Sequence, residues 1–133
     1  MSNMSIYRNE NIRKINDFLM KISIVLSNTT ELERQLLASF VFGVIYAGGR
    51  ERGLNPSEIH ALSILSLQDF FQYSPEQAYD FTGLLIEAAS NKEEHKVMNA
   101  IIHCGIRGYD QWKIEDYPSL KKDIETIFNE FKK

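Results

Sequence analysis

Apolar residues recur along most of this chain at steps of three and four, the spacing that gathers side chains on one face of an α-helix. From about Tyr7 to Leu26 the stripe is Ile12, Ile15, Leu19, Ile22 and Leu26. Asn28-Thr29-Thr30 interrupts it. Thr30 with Glu33 forms a capping box, in which each side chain accepts a backbone N–H that a helix start leaves free. The second predicted helix runs to about Arg52 and stops at Gly53. Its Leu32, Leu36, Leu37, Phe40, Val41, Phe42, Val44, Ile45 and Tyr46 wrap most of the circumference, which marks a central, buried helix.

Asn55-Pro56 with Glu58 starts a third helix: a capping asparagine, a proline where its missing N–H costs nothing, and an acid in the first turn. This helix carries Ile59, Leu62, Leu65, Phe70 and Phe71. Ser74-Pro75-Glu76-Gln77 repeats the device for a fourth, which ends near Ser90-Asn91. A fifth begins around Lys92 or Glu93 and carries Val97, Met98, Ile101, Ile102, Ile106 and Tyr109. Tyr109 to Tyr117 reads as a polar-aromatic connector. Pro118 opens a last amphipathic helix with Leu120, Ile124, Ile127, Phe128 and Phe131, and its basic end Lys132-Lys133 suits the negative end of the helix dipole. No run alternates with period two, so strands are not expected. The pattern predicts an all-α fold: a compact single-domain bundle of about six helices, residues 1–133, with a buried central helix.

Glycines interrupt these patterns where the sequence gives no reason for a break. Gly43, Gly48 and Gly49 fall in the second helix, Gly83 in the fourth, Gly105 and Gly108 in the fifth. A glycine inside a helix costs about 1 kcal/mol relative to alanine. The usual offset is close approach of a neighbouring backbone, so the central helices are expected to cross tightly.

Composition narrows the function. A chain of 133 residues buries enough surface to fold without a disulfide or a metal. Its 44% apolar and 25% charged residues are ordinary for a globular protein. A net charge of −3 argues against a nucleic-acid partner, which calls for a basic patch. The single cysteine, Cys104, cannot close an internal disulfide, which fits a reducing cytoplasm. The stretch Met1 to Glu10 lacks a basic region followed by an apolar block, so no secretory signal is expected. The longest apolar run, Leu36 to Gly49, is too short to span a bilayer. The expectation is a cytoplasmic protein with no membrane partner. Homo-oligomerisation is open and is not predicted.

Chemistry is sparse. His60, His95 and His103 lack any H-x-x-x-H spacing and Cys104 has no C-x-x-C partner, so no metal site is expected. His103 and Cys104 are neighbours, and on a helix their side chains diverge by about 100°. They cannot form a nucleophile–base pair. Cys104 with His60 across helices is geometrically open but carries no signature. Ala47-Gly48-Gly49-Arg50 follows no strand and precedes no lysine–serine pair, so it is no phosphate loop. Glu93-Glu94 and Glu115-Asp116 read as acids at helix starts. A helix-turn-helix around Gln72 to Pro75 fails because its second helix carries Glu76, Asp80 and Glu87 and no basic residue. No catalytic residue, cofactor or metal is assigned. A small helical enzyme or ligand-binding module with a site near His103 and Cys104, with Arg107 beside them, is the alternative reading.

A partner surface has more support. Tyr73, Tyr79, Asp80, Tyr109, Asp110 and Trp112 mix aromatic anchors with acids near helix ends. Such aromatics dominate interface energetics, and acids beside them steer basic partners. The competing reading is that these rings cap the core with their polar tips in water.

Glu33-Arg-Gln-Leu-Leu-Ala-Ser-Phe-Val-Phe-Gly43, Phe71-Gln-Tyr-Ser-Pro-Glu-Gln-Ala78, and His95-Lys-Val-Met-Asn-Ala-Ile-Ile-His103 with Gly105-Ile-Arg-Gly-Tyr109 resemble the bacterial immunity protein 48 family. The resemblance covers roughly Glu31 to Trp112. Where the resemblance leads one to expect an arginine after His103, this chain has Cys104. The resemblance implies a small all-helical antidote to a polymorphic toxin used between competing bacteria. Such a protein binds its cognate toxin domain in the cytoplasm and blocks it.

Overall fold

The computed structural model describes residues 3–24 and 26–131, and six α-helices account for most of them. They are α1 (Asn3–Lys21), α2 (Glu31–Glu51), α3 (Pro56–Phe71), α4 (Pro75–Ser90), α5 (Lys96–Lys113) and α6 (Tyr117–Phe131), with one 3-10 turn at Leu26–Asn28. Among the described residues there is no strand, and the fold is a compact all-α bundle. Lys132 and Lys133, and the side chains of Leu26 and Phe131, lie outside the described residues.

Helix starts follow the capping chemistry of the sequence. Complete capping boxes join Thr30 to Glu33, Asn55 to Glu58 and Ser74 to Gln77, with Pro56 and Pro75 in the first turns of α3 and α4. The sequence reading differs at α1, which spans Asn3–Lys21 and stops short of Leu26 because Ser23 turns the chain at φ 60°, and at both ends of α5. Residues 92–94 form a turn instead of opening α5, because Asn91 accepts the Glu94 N–H on its side chain and the His95 N–H on its carbonyl. Glu93 and Glu94 therefore precede the helix. At the other end α5 runs on to Lys113, so Tyr109, Asp110 and Trp112 are helical and not in a connector. Burial of Tyr109 and Trp112 on the face that continues from Ile101 and Gly105 holds this extension. The remaining connector is short, and Asp116 caps α6 by accepting the Ser119 N–H and hydroxyl.

The core centres on α2, whose buried residues run from Leu36 to Ile45 and include Gly48 and Gly49. Helix α5 crosses it backbone to backbone. A methyl group added to Gly43 would collide with the Ile102 carbonyl, and one added to Gly105 would collide with the Phe40 carbonyl. Gly83 departs from the close-approach expectation: among the described residues, nothing beyond its chain neighbours and its own helix backbone lies within 4 Å of the place its Cβ would take.

Helix α1 buries Tyr7, Asn11, Ile15 and Phe18, a line displaced from the Ile12–Leu19 stripe. Aromatic packing sets that rotation. The Phe18 ring lies 5.2 Å from Trp112, 6.0 Å from Tyr117 and 6.4 Å from Phe40.

Candidate partner-binding surface

Helix α4 gives the core one narrow face and leaves the rest to solvent. At 100° per residue, Ala78, Thr82, Leu85 and Ala88 fall on its inner face, and all four are buried. The same rotation puts Glu76, Gly83 and Glu87 along the outer crest. Tyr79 and Ile86 flank the crest on one side, Asp80 and Leu84 on the other. Tyr79, Leu84 and Ile86 are 62%, 37% and 40% exposed, an unusual concentration of large apolar surface on one helix. The helix contains no lysine or arginine. Among the described residues Glu76 and Asp80 make no ion pair, and Glu87 has only His95, at 3.8 Å.

Each flank opens into a cleft. On the Asp80 side, a depression of about 320 Å³ is lined by Glu31, Gln35, Tyr73, Gln77, Phe81 and Leu84 as well. One of its two carboxylates, that of Glu31, is held in place. The Tyr73 hydroxyl donates to Glu31 Oε1 at 3.2 Å, Gln35 donates to the same oxygen at 3.3 Å, and Arg34 pairs with Oε2 at 2.7 Å. Burial pushes the Glu31 pKa up, but these donors outweigh it and hold the carboxyl below its ordinary value. Burial first, then the Glu31 charge, pushes the Tyr73 phenol up to about 12, so it stays a donor.

On the Ile86 side lies a mostly apolar cleft of about 300 Å³ between α2, α3, α4 and α5. Phe42, Ile102 and Ile106 face it, and His60 and His103 line it. Tyr79 stands at 6.2 Å from the His60 ring. Cys104 lines a different cleft, between α5 and α6, where Arg107 Nη2 donates to its Sγ at 3.3 Å. The structure thus divides His103 from Cys104, and a shared catalytic site for the two is not formed. Glu87, Glu94 and His95 are the one group of three potential metal donors among the described residues, with ligand atoms within 4.8 Å of one another. Both glutamates are exposed, and exposed acidic groups commonly gather in this way without an ion.

The six aromatic and acidic residues singled out in the sequence do not share one patch. Tyr73, Tyr79 and Asp80 gather around α4, with Tyr73 bonded to Glu31 at the start of α2. Tyr109 packs on Gly48 in the last turn of α2, about 25 Å away at 1.5 Å per residue. Trp112 is 1% exposed and Tyr109 7%, so both are core side chains beyond a partner's reach, and only Asp110 of that group faces solvent. Their burial follows from the extended α5. The sequence reading singled out Gly83 only as a point of close approach and left out the exposed Leu84 and Ile86, although Phe81-Thr-Gly-Leu-Leu-Ile86 is apolar around more of the helix than a half-buried element needs.

The family model for immunity protein 48 matches residues 7–132. The chain belongs to the immunity protein 48 family. Membership implies a toxin partner in general. No curated protein and no solved structure matches the chain. Within this family member, no helix among the described residues is long and apolar enough to cross a membrane.

Proposed function

We propose that this protein neutralises a toxin domain by binding it, without a reaction of its own, in the cytoplasm of the producing cell. The match to the immunity protein 48 family over residues 7–132 carries this reading. The surface around α4 supports it: exposed Tyr79, half-buried Tyr73 and the uncompensated Asp80 are anchors and steering charge of the kind protein interfaces use. Of the sequence-derived contact residues these three are retained. Asp110 is exposed but remote, and Tyr109 and Trp112 support the fold beneath.

Neutralisation needs nanomolar affinity or better, about −12 kcal/mol, and an interface near 800 Å² per partner by the usual scale of about 1,600 Å² in total. Co-expression with a cognate toxin domain, sought among the neighbouring genes, tests the proposal. Cells carrying both should grow, and the purified proteins should form a stoichiometric complex with a Kd in the nanomolar range or below. Growth arrest despite abundant folded antidote, with no complex, would sink it.

A further inference from the structure

We infer that a cationic element of the partner crosses α4 at Gly83, with side chains descending into the clefts on either flank. This rests on the toxin-binding reading above and assigns the surface and its chemistry. The glycine is the first observation. Gly83 lies at the centre of the outer crest, solvent-exposed, and beyond its chain neighbours and its own helix backbone no atom of the described residues comes within 4 Å of where its Cβ would be. The other glycines within α2 and α5 are filled over by neighbours from this same molecule. A bare helix backbone facing outward lets an external chain approach as closely as α5 approaches α2 at Gly43.

Charge names the occupant. Along the crest Gly83 sits between Glu76 and Glu87, with Asp80 beside it, and α4 offers no cation to any of them. A lysine or arginine entering beside Leu84 would lay its methylene stem on Phe81 and Leu84 and bring its head to Asp80, the cleft carboxylate that Arg34 leaves unpaired. On the opposite flank, Ile86 and Tyr79 border the apolar cleft floored by Phe42 and Ile102, which suits an uncharged side chain. A second copy of this chain is disfavoured as the occupant. Two such crests meeting across a twofold axis would oppose Glu76, Asp80 and Glu87 to their own like.

The experiment uses the 133-residue protein and the toxin domain that it protects against in that co-expression, with binding followed by surface plasmon resonance at two salt concentrations. Gly83→Leu should weaken binding by about 100-fold, as loss of a central contact does. Asp80→Lys should weaken it by about tenfold or more, mostly through a slower on-rate whose salt dependence is reduced. Glu125→Lys on α6 makes the same charge change away from α4 and should leave the Kd within about twofold. Circular dichroism shows that each variant is folded. Tight wild-type binding with unchanged Kd in both Gly83→Leu and Asp80→Lys overturns the surface while leaving the toxin-binding function standing. Failure of the wild type to bind removes both. A concentration-dependent dimer that Gly83→Leu abolishes assigns the crest to a second copy and overturns the cationic partner.

Discussion

A methyl group placed on Gly105 would lie 3.1 Å from the Cα of Gly43, so the two main helices touch at their backbones. That contact sets the distance between α2 and α5 and carries the rest of the core with it. Gly43→Ala and Gly105→Ala should each destabilise the protein. The helix gains about 1 kcal/mol of propensity, but the new methyl meets a carbonyl that cannot move without parting the helices, and overpacking of this kind costs typically about 1–3 kcal/mol or more. Both substitutions act on one crossing, so the double variant should lose less than the sum of the two. Urea denaturation of the three variants measures this. Additive losses would mean that the helices do not separate as a unit.

Gly83→Ala should do the opposite. The added methyl enters open solvent, and the helix becomes easier to form, so unfolding free energy should rise by about 0.5–1 kcal/mol. A higher urea midpoint at unchanged slope is the expected result. A fall in stability would show that something within the molecule occupies the crest.

The helix starts were legible because their chemistry is local: Thr30, Asn55 and Ser74 each cap with a residue three positions on. The buried α2 was legible because apolar residues surround it. Partner residues were harder to read. Tyr79 and Trp112 look alike in sequence, two aromatics beside acids, yet one is 62% exposed and the other 1%. Tertiary packing decides between them, since Trp112 has Phe18 from a helix nearly a hundred positions earlier against its face. Gly83 carried the same ambiguity. A helical glycine signals close approach, but only the folded molecule shows whether the approaching atoms are its own.

Alkaline pH should unfold the protein through its buried tyrosines. Burial, then the Glu51 carboxylate, pushes Tyr109 up to about 12, and Tyr73 reaches about 12 beside Glu31. Burial also raises Tyr7, whose hydroxyl donates to the Ile45 carbonyl at 3.4 Å. Each holds its proton in the folded state, while the unfolded chain releases it near pH 10. Their contribution is therefore complete below about pH 10 and is lost as pH climbs toward 12 and beyond, because the unfolded state binds fewer protons. Unfolding free energy measured from pH 9 to 12 should fall with a slope that Tyr7→Phe makes shallower. An unchanged slope in that variant would exclude Tyr7 as a source.

Trp112→Ala should unfold the protein before it reveals anything about binding. The indole is almost fully buried and meets Phe18 edge-on at 5.2 Å, with Ile15 and Leu120 among the other residues of the same core. Truncating a buried tryptophan costs about 3–5 kcal/mol, a large share of the roughly 5–15 kcal/mol that stabilises a domain. Tyr79→Ala removes a ring that is mostly in water, so its stability should change by about 0.5 kcal/mol at most. The pair separates fold from interface. Thermal denaturation should show a much lower midpoint for Trp112→Ala and a near-native one for Tyr79→Ala, while toxin affinity, measured on folded protein, should fall for Tyr79→Ala. Native stability in Trp112→Ala would mean that α5 does not carry its last turn into the core.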